Sequence, residues 1–157
     1  MRNRELSSQL QRIQSLFKKI KGIPADDLEL NAHWAKYLCV LCAGFLEDSM
    51  PQLYGDYAKS SANTAIASYT FSQLNHIQNP KTQKFIDVTN LFNKSWGEAL
   101  EAFVLENGRK DAIDAIMANR NNIAHGEDSG ITIGRLTDYL SRSVEVLDFI
   151  EHKTLGL

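Results

Sequence analysis

Residues 30–51, LNAHWAKYLCVLCAGFLEDSMP, form the most apolar helical segment of the chain and indicate an all-α fold. Its large apolar side chains recur at spacings of three and four residues, the period of an α-helix, in the series Leu30, Trp34, Leu38, Leu41 and Phe45. A helix with so much apolar surface should lie at the centre of a bundle. Pro51 has no amide donor, so we expect a kink or an end of this helix near Met50.

Helical periodicity also dominates the sequence before this segment. A single apolar stripe predicts an amphipathic helix within residues 1–25, and it consists of Leu6, Leu10, Ile13, Phe17 and Ile20. The segment Gly22-Ile23-Pro24 should end that helix, and Asp26 or Asp27 can cap the next one with its side-chain oxygen.

The rest of the chain has the pattern of further helices separated by short breaks. A helical stretch is predicted at about Ala62 to Ile77, and a short helix capped by Thr82 follows the Asn79-Pro80 break. An apolar stripe from Trp96 to Val104 predicts the next helix. Two more helices follow: one with Asp111 near its start and Gly126 as its left-handed stop, and a last one from Leu136 to Ile150. No segment has the alternation of a strand, and no repeat or linker divides the chain.

These patterns predict an all-α helical bundle that forms one domain over residues 1–157. Its shared core should contain Leu38, Leu41, Phe45, Ile113, Ile116, Leu140 and Leu147. A chain of 157 residues is long enough to bury such a core without disulfide bonds. Neither an apolar run of membrane-spanning length nor a signal-peptide pattern is present, so we expect a cytoplasmic protein without a membrane partner.

The net charge of −2 argues against a strongly basic nucleic-acid binder, but the charge is unevenly distributed. Residues 1–21 contain a single acid, Glu5, and six cations, which are Arg2, Arg4, Arg12, Lys18, Lys19 and Lys21. Two interpretations stay open: contacts with phosphates, or an ordinary solvated helix face. An organellar transit peptide has a similar composition, although this segment has the pattern of a helix of the fold.

The segment Arg120-Asn121-Asn122-Ile123-Ala124-His125-Gly126 places polar side chains at the end of an otherwise apolar helix. Asn121 and His125 are four residues apart and therefore lie one turn from each other on one face. Arg120 has a long side chain that can swing toward His125. The capping alternative is that Arg120 and His125 only bind the last carbonyls and the helix dipole.

The three residue types suit metal-free cleavage of RNA by its own 2′-hydroxyl. Histidine can transfer a proton near neutral pH, and arginine offers a permanently charged fork that matches phosphate oxygens. Asparagine can orient the imidazole or bind the substrate. Cleavage of this kind requires proton transfer and stabilisation of a more negative phosphorane. We therefore expect no metal and no cofactor.

The Arg120-to-His125 segment resembles the Arg-x₄-His signature of the HEPN superfamily (higher eukaryotes and prokaryotes nucleotide-binding). The similarity extends over residues 30–152, to the bacterial group that includes RiboL-PSP-HEPN domains. It is carried by the segment Cys39 to Glu47, the Gln78-Asn79-Pro80-Lys81 break with the short helix ending at Phe92, Trp96, and the closing stretch from Ile131 to Leu140. Residues 1–25 have no counterpart in this resemblance.

The resemblance implies a helical bundle that forms a homodimer with two motif helices facing each other. It also implies a metal-independent ribonuclease, of a kind often used as a toxin or in antiphage defence, with an RNA substrate and a possible cognate antitoxin or immunity protein. By position, Arg120 and His125 match the catalytic pair, and Asn121 matches the polar residue after the arginine. Glu47 matches an acidic residue that commonly approaches the site; otherwise it is a solvated helix residue. Some members of the family are inactive modules that bind RNA or nucleotide, or scaffold a partner protein.

Cys39 and Cys42 have the Cys-x-x-Cys spacing of a zinc or redox site. No second pair exists, and both cysteines lie inside the most apolar helix. We therefore interpret them as small core residues.

Overall fold

The computed structural model describes residues 1–21 and 27–157, and in these residues it contains seven α-helices and no strand. The helices are α1 (Arg4–Ile20), α2 (Leu28–Ser61), α3 (Thr64–Leu74), α4 (Thr82–Phe92), α5 (Lys94–Leu105), α6 (Arg109–Ala124) and α7 (Ile133–Leu155). The all-α prediction is confirmed. Asp27 caps α2 by accepting a hydrogen bond from Leu30 N, whereas Asp26 and the Gly22-Ile23-Pro24 segment lie outside the described residues.

The sequence predicted a kink or an end near Met50, and the end is wrong, because α2 continues through Pro51. Proline removes one amide donor from a helix, but the loss is local. The residues on both sides of Pro51 are buried, including Met50, Leu53 and Tyr54. Packing of this apolar face therefore holds the 34-residue helix together across the missing hydrogen bond.

Thr82 is the first residue of α4 rather than its cap, which is Lys81. Its amide donates to Asp114 Oδ1 at 2.8 Å, and its hydroxyl donates to the carbonyl oxygen of Lys110 at 3.1 Å. Thr82 is fully buried. It therefore attaches the start of α4 to the first half of α6.

Six of the seven predicted core residues are buried in one cluster, as expected. Leu41 is the exception, because it is half-buried and packs against the edge of the core. Three residues turn a helix by about 300°, so Leu41 points about 60° away from Leu38, which is fully buried. The apolar stripe of α2 is therefore wider than the face that the core covers.

The helix directions place four helix ends together. Helix α1 runs antiparallel to α2, since Asn3 contacts Asp56 and Gln9 contacts Asp48. It also runs antiparallel to α7, because the amides of Arg2 and Asn3 donate to Glu151 near the end of α7. Helices α2 and α7 are therefore parallel to each other.

Helix α6 joins α7 through residues 125–132 and is antiparallel to it, with Arg109 paired to Glu145 at the other end. The C-terminal ends of α1 and α6 consequently lie at the same end of the bundle as the N-terminal ends of α2 and α7. We call this the motif end of the bundle. Among the described helices, none combines the length and the apolar character that crossing a membrane would require.

Candidate functional site

The first half of α6 is firmly anchored in the bundle. Arg109 is buried, donates to Glu145 at 2.7 Å and to the carbonyl oxygen of Phe103 at 3.0 Å, and lies over the ring of Phe103. Farther along α6, Ile113 and Ile116 are fully buried. No sequence pattern indicated this role of Arg109, because a lone arginine after a glycine resembles any solvated residue. The anchored half fixes the position of the helix end that carries the motif.

Helix α6 ends in a backbone arrangement that satisfies its last carbonyls. His125 is the C-cap, and Gly126 has a left-handed φ of +73°. The amide of Gly126 donates to Ile123 O at 3.1 Å, and that of Glu127 donates to Asn122 O at 2.8 Å, which is the Schellman pattern. The prediction of Gly126 as the left-handed stop is confirmed.

The motif side chains are not used in the backbone hydrogen bonds that end α6. Arg120 is half-buried and continues the inner stripe of α6 one turn beyond Ile116, whereas Asn121 and His125 are exposed. Within residues 1–21 and 27–157, the side chains of these three motif residues make no hydrogen bond or ion pair. Of the capping alternative, the part in which Arg120 and His125 bind the last carbonyls has no side-chain hydrogen bond to support it, because backbone amides bind those carbonyls instead.

The structure does not bring Glu47 to the motif within one chain. Its carboxylate accepts a hydrogen bond from the amide of Asn79 at 2.5 Å, and Asn79 has a left-handed φ of +49°. Helices α2 and α6 cross where Cys39 Sγ contacts Ile116 O, and they run in opposite directions. At about 1.5 Å per residue, Glu47 and His125 extend to opposite sides of this crossing and lie about 25 Å apart. Glu47 instead holds the Asn79-Pro80 turn against α2.

The two cysteines are core residues, as predicted. Both are free and buried, and Cys39 Sγ donates weakly to the carbonyl oxygen of Ile116. Burial raises the pKa of the Cys39 thiol to about 11 and raises the pKa of Cys42 further. In the part of the chain that the structure describes, no three His, Cys, Asp or Glu side chains form a group that would hold a metal ion.

The charge around the motif is mixed. Glu127 and Asp128 come after His125 and Gly126 and are exposed, and Asp128 accepts a hydrogen bond from Gly130 N at 3.3 Å. These two carboxylates oppose the approach of a phosphate from the side of the α6–α7 loop. A polyanion would therefore reach Arg120 and His125 from another side of the motif end.

Comparison with known proteins identifies the family. A model of the family described as RiboL-PSP-HEPN matches residues 4–153. The match includes α1, for which the sequence resemblance had no counterpart. No curated protein and no solved structure gives a significant match to the chain. The residues matched span nearly the whole chain, and the seven-helix fold agrees with a helical family. The chain therefore belongs to the RiboL-PSP-HEPN family of the HEPN superfamily.

Proposed function

We propose that the protein is a metal-independent endoribonuclease that cuts single-stranded or loop RNA at the motif end of the bundle. The observation that carries this proposal is the free group Arg120, Asn121 and His125 on an anchored helix end. These side chains have no hydrogen-bond or ion-pair partner among the described residues, so they are available to a substrate. Family membership supports a role connected with RNA, because HEPN domains are often ribonucleases.

In the proposed reaction, the substrate's 2′-oxygen loses its proton and attacks the adjacent phosphorus. The bond from phosphorus to the 5′-oxygen breaks, and that oxygen leaves with a proton. His125 transfers one of these protons, and Arg120 binds the phosphate oxygens as their charge increases. Asn121 orients the imidazole or the substrate. The products are a 2′,3′-cyclic phosphate and a 5′-hydroxyl.

We further propose that two copies form a twofold dimer with their α6 ends near the axis. One chain supplies one His125, whereas the reaction needs both a base and an acid. Twofold symmetry would place a second copy of each motif residue in the same cleft. Light scattering at tens of micromolar should report a dimer, and a monomer alone at that concentration would contradict this assembly.

The proposal also includes a toxin or antiphage role, with a cognate antitoxin or immunity protein. This part of the proposal rests on family membership.

A second candidate function is a catalytically idle module that binds RNA or nucleotide, or scaffolds a partner protein. The observation in its favour is the pair of exposed carboxylates, Glu127 and Asp128, that directly follows the motif. Incubation of the parent protein with total RNA in excess chelator separates the two functions. Degradation by the parent but not by a His125→Ala variant supports the enzyme, and intact RNA with both proteins supports the idle module.

The Glu47→Gln variant tests whether the site includes this carboxylate. We expect the variant to cleave RNA at close to the parent rate, because Glu47 holds the Asn79 amide far from His125. The glutamine side chain would keep one oxygen acceptor but lose the charge, so the free energy of unfolding should fall modestly. Initial cleavage rates per folded protein, beside urea unfolding curves, measure both effects. A rate loss as large as that of His125→Ala would contradict this expectation and would mean that Glu47 takes part in catalysis.

A further inference from the structure

A groove lies between the last turns of α1 and the first turns of α7, and the motif residues do not line it. Its volume is about 410 Å³, within the range of sites that take a small ligand. The floor is apolar and includes Phe17 and Leu140, whereas Lys18, Lys21, Thr137 and Ser141 are among the polar side chains on its walls. An apolar floor with cationic and hydroxyl groups around it suits a ligand that is flat and apolar at one end and anionic at the other.

Among the described residues, the charged side chains that line the groove are two lysines and no acid. Lys18 and Lys21 are exposed, and within the described residues neither ammonium group forms an ion pair. Asp138, next to Thr137 on α7, is paired with Arg142 at 3.0 Å. The two lysines therefore present charge that nothing in the described chain neutralises.

The groove and the motif share one end of the bundle. Thr137 lies one turn into α7, and α7 begins directly after the loop that follows His125. Lys21 is next to the C-terminal end of α1, which meets this end of α7. A single strand whose scissile phosphate is at Arg120 and His125 can therefore reach the groove with a few nucleotides. It would then run from the end of α6 past the start of α7 toward the end of α1.

We propose that this groove binds one nucleotide unit of the single-stranded RNA substrate, with its phosphate between Lys18 and Lys21 and its base against the apolar floor. This proposal rests on the proposed ribonuclease function and names the path of the strand beyond the cut site. It also gives a role to the cations at the end of α1, for which the sequence left two interpretations open. A free nucleotide has the same chemistry as one unit of the strand, so the experiment must distinguish the two.

The test measures binding without cleavage. Fluorescence anisotropy of a labelled single strand of 2′-O-methyl RNA reports the Kd of the intact protein at several salt concentrations. We expect the double variant Lys18→Gln/Lys21→Gln to bind about tenfold more weakly, and the slope of log Kd against log salt to fall by about 0.7, the contribution of the one single-strand phosphate that the two lysines share. The control Lys59→Gln/Lys110→Gln removes the same charge from exposed lysines at the other end of the bundle. Its Kd and slope should match the parent.

A second variant tests the groove itself rather than its charge. Ser141→Trp places a bulky side chain at the groove without changing the net charge, and it should weaken binding of the same strand. Unchanged binding by this variant, or equal losses in the two lysine pairs, would overturn the proposal. Uridine monophosphate should compete only weakly with the strand. Tight binding of this nucleotide that depends on Lys18 and Lys21 would assign the groove to a free nucleotide and overturn the RNA path.

The outcome is separate from that of the proposed function, because the 2′-O-methyl strand cannot be cut by the proposed reaction. If the protein never cleaves RNA but binds the strand through Lys18 and Lys21, the groove proposal stands and the ribonuclease proposal fails. If the protein cleaves RNA and the lysine variants do not affect strand binding, the ribonuclease proposal stands and the groove proposal fails.

Discussion

Replacement of His125 by alanine should slow RNA cleavage by about 10²–10⁴-fold, the usual contribution of general acid–base catalysis. The imidazole is exposed and makes no side-chain hydrogen bond or ion pair within the described residues, so its loss removes a proton-transfer group and little else. The backbone hydrogen bonds that close α6 do not depend on the side chain. The melting temperature should therefore stay close to that of the parent. Single-turnover cleavage of a defined RNA, beside a thermal unfolding curve, measures both effects.

Arg120→Lys is the companion variant, because it keeps the positive charge and most of the half-buried stem. Lysine lacks the planar fork that binds two phosphate oxygens at once, so we expect a clear loss of rate here too. Both variants should fold. Parent-like cleavage by His125→Ala would remove this residue from the mechanism. If instead both variants are unstable and the parent never cleaves, the motif residues only support the helix end.

Replacement of Leu38 by alanine should lower the free energy of unfolding by about 2–5 kcal/mol, the range for a leucine removed from a close-packed core. Leu38 is fully buried on the face of α2 that meets the rest of the bundle. Leu41→Ala is the matched control, because it deletes the same atoms from the same helix one turn away. Leu41 is half-buried, and its neighbours can relax into the space, so the loss should be clearly smaller.

Urea unfolding of the two variants and the parent gives the comparison. Both variants should keep the parent's dependence of unfolding free energy on urea, since neither changes the extent of the fold. Equal losses for Leu38→Ala and Leu41→Ala would mean that α2 is buried all round. That result would contradict a packing in which one side of the first half of α2 stays partly open.

Much of the fold could be predicted because it depends on local periodicity. The apolar stripes located the helices, and Asp27 and Gly126 marked two of the ends through their capping chemistry. The helix end predicted near Pro51 was wrong, because packing on both sides of the proline decides its effect on α2 rather than the missing amide. The core position predicted for Leu41 was wrong for a related reason: residue spacing defines an apolar stripe but not how much of it the neighbouring helices cover.

The candidate site was predictable only in part, for a similar physical reason. Arg120, Asn121 and His125 are neighbours along one helix, so their spacing in sequence fixes their relation in space. Glu47 lies on another helix, and its distance from the motif depends on the antiparallel packing of α2 and α6, which no local pattern reveals. The groove could not be predicted from the sequence for the same reason, because residues of both α1 and α7 line it.

The chemistry of the cut ends distinguishes attack by the substrate's own 2′-oxygen from metal-dependent hydrolysis. A defined RNA should be incubated with the protein in excess EDTA, and its fragments analysed by mass spectrometry, beside the same sequence made as DNA and as RNA with 2′-O-methyl at the cut site. We predict cleavage of the unmodified RNA alone, with 2′,3′-cyclic phosphate and 5′-hydroxyl ends, because the attacking group is the substrate's own 2′-oxygen. Fragments with 5′-phosphate ends, cleavage of the DNA, or activity that vanishes in EDTA and returns with a divalent metal would contradict the account.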